Sequence, residues 1–188
     1  MDSVFTLPYS EYKVAEELQK IFSKNKDYTV LIPVSRQQKG FDLIIYNCNS
    51  KKAVTIQIKA SRAYDHARAK KGFDTTFWFG NIKYFKGRAD FYILFAVYAE
   101  YSIKKILNKS RQTDKWIHNT MLVFSDKEMG RFLGNLKTKK GKTENQFYFS
   151  LNKQHPNRIY LTRGNVKIKD YKKYLFENKI HKIERKLK

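Results

Sequence analysis

Two acidic side chains in the first third of the sequence stand in apolar surroundings. Glu11 lies within the apolar stripe of an amphipathic segment, and Asp42 stands at the edge of the apolar run 41–45. A carboxylate in such a place is unfavourable unless a neighbouring group compensates its charge. A metal ion is one such group, so the two acids are candidate metal ligands.

The first acid belongs to a predicted helix over residues 10–24, for which Ser10 is a candidate N-cap. On a helical wheel at about 100° per residue, Glu11 falls inside the apolar stripe, whereas Glu16 lies on the opposite side and Glu17 about 100° away. Of the three acids, only Glu11 therefore points from the first turn toward the rest of the domain. The stripe consists of Val14, Ala15, Leu18, Ile21 and Phe22.

Three short strands are predicted after this helix. Residues 28–34, 41–46 and 53–59 are rich in β-branched and aromatic side chains. The polar segment 47–52 is typical of a turn, so the second and third strands are predicted to form a hairpin.

This hairpin determines which polar side chains meet. The two-residue period of a strand places Thr55, Gln57 and Lys59 together on one face of the third strand. Pairing of the two strands then brings Asp42 beside Gln57 and Lys59. The predicted site thus contains an acid, an amide, an ammonium group and a second acid, Glu11, from the adjacent helix.

The rest of the chain supplies further strands and helices. Residues 91–98 are apolar on both faces, as in a central strand covered by helices on each side. Ser125 and Glu128 form a capping-box signature for a helix to about residue 136. A further strand is predicted over 121–124, weaker strands over 146–151 and 158–162, and a C-terminal helix from about residue 170. The predicted fold class is α/β, one domain over residues 1–188 with a central mixed β-sheet flanked by helices.

The charge of the chain indicates a polyanionic partner. It has 39 Lys and Arg against 17 Asp and Glu, a net charge of +22, whereas residues 1–50 contain six of each sign. Such an excess attracts phosphates through counterion release, so DNA or RNA is the expected partner and an anionic membrane the weaker alternative. Two basic segments, 62–72 and 137–142, are predicted to be exposed. Their candidate DNA contacts are Arg62, Arg68, Lys70, Lys71, Lys137, Lys139, Lys140 and Lys142.

Several classes of protein are excluded by composition. A single cysteine, Cys48, cannot form an internal disulfide, and the four histidines have no structural zinc spacing. The longest apolar run, 91–99, is about half the roughly 20 residues that a membrane span requires, and the first three residues lack the basic start of a signal peptide. The sequence predicts an intracellular, cytoplasmic protein without a membrane partner.

Glu11 and the segments 40–45 and 56–61 together resemble the PD-(D/E)xK nuclease superfamily, whose restriction-endonuclease-like folds include many restriction enzymes and the archaeal Holliday-junction resolvases. The likeness covers residues 9–61, about a third of the chain. Phe41 stands where the family name has proline, and Gln57 replaces the second acid. Resolvase-like and DNA-repair branches of the superfamily resemble this QxK form.

The resemblance implies a restriction endonuclease-like fold and a Mg²⁺-dependent DNA endonuclease, with Mn²⁺ as a substitute. Its catalytic residues would be Glu11, Asp42, Gln57 and Lys59, and its metal ligands Glu11, Asp42, Gln57 and the backbone carbonyl of Ile58. Mg²⁺ prefers about six oxygen ligands and keeps several waters, so one or two carboxylates and a carbonyl suffice. Lys59 would orient the attacking water and stabilise the charge of the transition state.

Other interpretations remain open from the sequence. Glu11 also fits an ordinary acid near a helix N-terminus, and Gln57 and Lys59 fit the solvated face of a strand. A small restriction enzyme, which would act as a homodimer, is slightly favoured over a Holliday-junction or repair nuclease, because about 125 residues remain for target recognition and dimer contacts. A non-catalytic nucleic-acid-binding protein with a degenerate nuclease fold is the alternative from another class.

Overall fold

A five-stranded mixed sheet lies at the centre of the fold. The computed structural model describes residues 6–33, 40–65, 73, 75–80, 82–99, 117–137, 141–142, 144, 146–152, 155–161 and 169–188. The sheet consists, in spatial order, of β1 (Tyr28–Leu31), β2 (Leu43–Asn47), β3 (Ala53–Asp65), β5 (Phe91–Ala99) and β6 (Ile117–Ser125). Strands β3 and β5 are parallel, and the other neighbours are antiparallel.

Strand β3 is 13 residues long, which is enough for it to pair in two sheets. Residues 53–62 pair with β2 and β5, whereas residues 63–65 pair with the first strand of an antiparallel sheet. The order of this second sheet is β3-β4-β7-β8-β9. Its further strands are β4 (Thr75–Gly80), β7 (Gln146–Asn152), β8 (His155–Leu161) and β9 (Lys169–Asp170).

Three helices complete the described fold: α1 (Thr6–Ile21), α2 (Asp126–Gly134) and α3 (Phe176–Leu187). Short 3₁₀ turns occupy Lys24–Lys26 and Lys172–Tyr174. Helices α1 and α3 pack on one face of the central sheet, where their apolar side chains share a core with β2, β3, β5 and β6. Helix α2 contributes to a second core between the two sheets. No helix of the described residues has the length and apolar character needed to cross a membrane.

The two cores follow from the alternation along β3. Val54, Ile56 and Ile58 are buried against α1 and α3, whereas Gln57 and Lys59 project from the opposite face and are half-buried. This confirms the alternation and the hairpin that the sequence predicts. Strand β5 is buried on both faces between β3 and β6, also as predicted.

The turn of the β2–β3 hairpin is tied to the end of α3. The side-chain amide of Asn47 donates a hydrogen bond of 3.1 Å to the carbonyl oxygen of Leu187, and the Ser50 hydroxyl donates to the same oxygen. The Asn47 side-chain oxygen in turn accepts from the backbone N–H of Asn49 at 2.9 Å. The Leu187 carbonyl, at the end of α3, thus accepts hydrogen bonds from a turn that lies 140 residues earlier in the chain.

A second connection joins α2 to α3. Helix α2 begins at the predicted capping box, in which Ser125 accepts from the Glu128 backbone N–H and Glu128 accepts from that of Ser125. The Glu128 carboxylate also accepts a hydrogen bond of 2.5 Å from the ammonium group of Lys179, whose side chain is only 6% exposed. Lys182 lies 3.3 Å from the same carboxylate oxygen.

Some predicted boundaries are wrong. Helix α1 begins at Thr6, so Ser10 is a buried residue inside the helix rather than its N-cap, and Glu11 lies beyond the first turn. Pro8 does not prevent this, because a backbone N–H in the first turn has no helical partner to lose. The C-terminal helix begins at Phe176 instead of near residue 170, after the 3₁₀ turn. Strand β4 was not predicted.

Candidate active site

Asp42 occupies the point where the pairing between β2 and β3 ends. The last pair of that ladder is Leu43 with Ile56, and Asp42 directly precedes it. Its backbone N–H donates to the Ile56 carbonyl at 2.8 Å, and its carboxylate accepts a hydrogen bond of 2.6 Å from the Ile58 N–H. The side-chain amide of Gln57 donates to the same carboxylate oxygen. The carboxylate is therefore held by two donors of β3.

Burial governs the protonation of this carboxylate. It raises the pKa of Asp42 above its ordinary value of 3.8, and the opposing effects of the Ile58 N–H, the Lys59 charge and the Gln57 amide do not reverse the shift. A partly buried carboxylate of this kind gains from a bound cation, which would offset the cost of removing its charge from water.

The oxygen donors around Asp42 suit a hard cation. The Gln57 side-chain nitrogen lies 3.4 Å from the Ile58 carbonyl oxygen, so this carbonyl and the Gln57 amide face the same place as the carboxylate. A half-turn of the Gln57 amide would present its carbonyl oxygen there instead of its nitrogen. A carboxylate with two neutral oxygens fits Mg²⁺, which needs few protein ligands. Within the described ranges there is no cluster of three or more His, Cys, Asp and Glu arranged to bind a metal.

Glu11 lies on α1 and is half-buried. This helix packs on the Val54–Ile56–Ile58 face of β3, whereas Gln57 and Lys59 project from the other face. The N-terminal part of α1 lies over the middle of β5, because the Tyr9 and Phe95 rings are 6.5 Å apart. The role of Glu11 as a ligand stays a prediction.

A cleft of about 190 Å³ adjoins Gln57 and Lys59. Its other lining residues are Gly40 from the loop before β2, Lys83, Phe85 and Arg88 from the loop before β5, and Tyr92 from β5 itself. The Arg88 guanidinium lies over the Phe85 ring, 3.9 Å from its centre. Gly40 has a φ of +123°, which residues with a side chain rarely adopt, so this position favours glycine. An added Cβ would lie 3.4 Å from the Arg88 carbonyl oxygen, so the two loops are in contact.

Lys83 and Arg88 line the cleft but were not predicted as site residues from the sequence. Three basic residues, Lys83, Lys86 and Arg88, do stand close together before β5. In a chain of net charge +22, however, such a group does not differ from other basic segments. Only the approach of the loop to Gly40 shows which of these cations reach the cleft.

The predicted DNA contacts are only partly within the described residues. Lys137 and Lys142 are exposed, as expected for residues that meet a polyanion. Arg62 lies in β3, but its side chain is outside the described part. The other predicted contacts also lie outside it: Arg68, Lys70, Lys71, Lys139 and Lys140.

Comparisons with known proteins add little to this geometry. No family model and no curated protein matches the sequence. Among solved structures, the chain is similar to a bacterial homing endonuclease, I-Ssp6803I, with 12% identity and a TM-score of 0.40 over 69% of this chain and 74% of that one. A likeness at this TM-score carries no weight for fold or activity, so the following proposals depend on the residues of this chain.

Proposed function

We propose that this protein is a Mg²⁺-dependent DNA endonuclease of the restriction endonuclease-like type. The observation that carries the proposal is the carboxylate of Asp42, half-buried at the end of the β2–β3 ladder and held beside Gln57, with Lys59 in the adjoining cleft. An acid, an amide oxygen and an ammonium group at one end of a mixed sheet are the groups that hydrolysis of a phosphodiester needs.

Asp42, the Gln57 side-chain oxygen and the Ile58 carbonyl would hold the cation, with Glu11 as a further ligand, direct or through water. Mg²⁺, or Mn²⁺ in its place, would polarise the phosphate and lower the pKa of a bound water. Asp42 supplies the negative charge that retains the ion. Gln57 contributes an oxygen without charge, so Glu11 would supply the second negative charge of the site.

Lys59 has the role of orienting the attacking water and stabilising the charge that develops on the phosphate. It is half-buried on the same face of β3 as Gln57, and among the described residues it forms no salt bridge with a carboxylate. Its ammonium group is therefore available to an anionic substrate rather than committed to the fold. The net charge of +22 supports DNA as that substrate.

Incubation of supercoiled plasmid with the purified protein tests the proposal directly. In the presence of Mg²⁺ we expect open-circular and linear DNA, and in EDTA no cleavage, because the metal is needed to activate the water. Binding of the plasmid without cleavage under all metal conditions would instead favour the non-catalytic DNA-binding protein.

The same experiment with defined substrates separates the biological classes. A restriction enzyme, which we favour, would cut duplex DNA into discrete fragments, whereas a resolvase or repair nuclease would prefer a four-way junction or a damaged duplex of the same sequence.

We also propose that the active form is a homodimer, which sedimentation of the protein with and without DNA would test.

Gln57 provides a test of the metal site that does not depend on cleavage. Gln57→Glu adds a carboxylate next to the buried Asp42, so we expect tighter Mn²⁺ binding, a higher pKa of Asp42 and a less stable metal-free protein. Gln57→Leu should weaken Mn²⁺ binding. Calorimetric titration with Mn²⁺ and melting temperatures with and without the metal measure these effects.

Thr29→Glu is the matched control for Gln57→Glu. Thr29 is exposed on β1 opposite Tyr46, at the other end of β2 from Asp42. A carboxylate there should not improve Mn²⁺ binding. If neither wild type nor Gln57→Glu is stabilised by Mn²⁺, the cation site and its part in the proposed function are wrong.

A further inference from the structure

We infer that Lys83 and Arg88 form a binding site for a backbone phosphate of the DNA strand, next to the predicted reacting centre. This inference rests on the proposed function in that it takes DNA as the ligand. It adds a binding role for two residues that the motif of the first 61 residues does not include. The site would fix the position of the strand relative to Asp42 and Lys59.

The charge of the cleft carries the inference. The described part of its lining contains three cations, Lys59, Lys83 and Arg88, and no carboxylate. Among the described residues, none of the three forms a salt bridge with an acid. Lys83 and Arg88 are exposed at its rim, whereas Lys59 is half-buried. Three cations that line about 190 Å³ outnumber the nearby carboxylates of Asp42 and Asp126, and they produce a positive potential that a phosphate would neutralise.

The loop that carries these cations is held in place by several hydrogen bonds. The Gly87 N–H donates to the Asp126 carboxylate at 3.1 Å, and the Tyr84 hydroxyl donates to the Asp126 carbonyl at 3.2 Å. The Tyr92 hydroxyl donates to the carbonyl of Phe85 at 3.3 Å. Because these bonds involve the start of α2 and the interior of β5, the loop is preorganised and binding would not have to order it.

The Arg88 side chain is also held in place, by a contact with an aromatic ring. Its guanidinium lies over the Phe85 ring, which limits its rotamers, and its N–H groups form no salt bridge with a carboxylate of the described residues, so they can bond a phosphate with two donors. The Phe85 side chain itself is 48% exposed, so it offers an aromatic surface to a sugar or base beside the bound phosphate. Cations beside an exposed aromatic ring therefore suit a nucleotide unit, in which a phosphate adjoins a sugar and a base.

Replacement of both cations by glutamine tests the site. For Lys83→Gln/Arg88→Gln, we expect the affinity for a duplex oligonucleotide in EDTA to fall about tenfold or more at low salt. The slope of log affinity against log salt should become shallower by about 0.9 for each phosphate contact that is lost. Fluorescence anisotropy in EDTA measures both quantities without cleavage. Arg88→Lys keeps the charge and should keep the wild-type slope.

The matched control is Lys86→Gln/Lys127→Gln. It removes the same charge from the same loop and from the start of α2, but neither residue lines the cleft, and both are exposed. This control should change the affinity less than the cleft variant does. Equal losses in the two double variants would overturn the inference, since the effect would then be one of overall charge.

Neutral methylphosphonates, placed one at a time in the duplex, locate the contact. In wild type, one neutralised phosphate should reduce the affinity; in the cleft variant, that same substitution should have no further effect. Inorganic phosphate at matched ionic strength should compete with the duplex more strongly in wild type than in the cleft variant, because it would bind the same two cations; equal competition in both proteins would contradict the inference.

Failure of this inference differs from failure of the proposed function. Cleavage by wild type together with equal behaviour of both double variants would disprove the cleft and retain the nuclease. DNA binding that depends on Lys83 and Arg88 without any cleavage would retain the cleft and disprove the nuclease. An absence of DNA binding by wild type would disprove both. Melting temperatures check that the variants are folded.

Discussion

Asp42→Asn is expected to reduce Mg²⁺-dependent plasmid cleavage on the order of 1,000-fold or more, because it removes the carboxylate that would retain the cation while keeping its shape. Asparagine can still accept the hydrogen bond from the Ile58 N–H, so the fold should be maintained. Affinity for duplex DNA in EDTA should be unchanged or slightly higher, since one negative charge near the phosphates is lost. Cleavage rates and anisotropy are the measurements.

Lys59→Ala should have a similar effect on cleavage with little cost in stability, because no described carboxylate depends on this ammonium group for a salt bridge. Lys52→Ala is the matched control: it removes an exposed lysine from the same hairpin, away from Asp42, and should cleave like wild type. Undiminished cleavage by purified Asp42→Asn would contradict the assignment of the site.

Glu128→Gln should lower the free energy of unfolding by about 3 kcal/mol at pH 7, because it leaves the buried Lys179 without a counter-charge. Glutamine preserves the capping box, which accepts either residue, so the variant isolates the loss of charge. Urea unfolding at pH 7 gives the measurement. Addition of Lys179→Met should recover much of the loss, since an apolar side chain then replaces the unpaired ammonium group.

The pH dependence of this effect follows from the pKa of Glu128. Burial raises it, but the hydrogen bonds from Lys179 and from the Ser125 N–H outweigh burial and lower the pKa to about 2, from an ordinary value of 4.5. A lowered pKa stabilises the fold above 4.5, and this contribution is lost as the pH falls from 4.5 toward 2. Wild type and Glu128→Gln should therefore have similar free energies of unfolding at a pH near the lowered pKa of Glu128, about 2.

Glu184→Gln is the control for this prediction. Glu184 lies on the same helix as Lys179, but its salt bridge with Lys188 is exposed to solvent, so its loss should change stability by less than about 1 kcal/mol. A loss as small as this in Glu128→Gln would show that the α2–α3 connection does not stabilise the fold.

The sequence predicts the hairpin and its polar face because both depend on local patterns. Alternation along β3 separates Gln57 and Lys59 from the buried Val54, Ile56 and Ile58, and the turn brings Asp42 to them. The capping box at Ser125 was also predicted, because it depends on residues three apart. These features need no information about distant parts of the chain.

The features that were not predicted depend on distant contacts. Strand β4 is stabilised by pairing with β3 and β7, and its own six residues carry no clear alternation. The approach of Gly40 to Arg88 joins loops 48 residues apart, so no local pattern shows that Lys83 and Arg88 reach the cleft. The side of the sheet that α1 covers likewise depends on the packed core and not on the helix alone.

The hydrogen bonds from Asn47 and Ser50 to Leu187 have a consequence for the order of folding. They connect the turn of the hairpin to a helix end about 140 residues later, so this part of its stability is gained only after a very long loop has closed. Pairing at such separation is slow compared with local helix formation. The hairpin that positions Asp42 and Gln57 therefore reaches its final stability late, after α3 has docked.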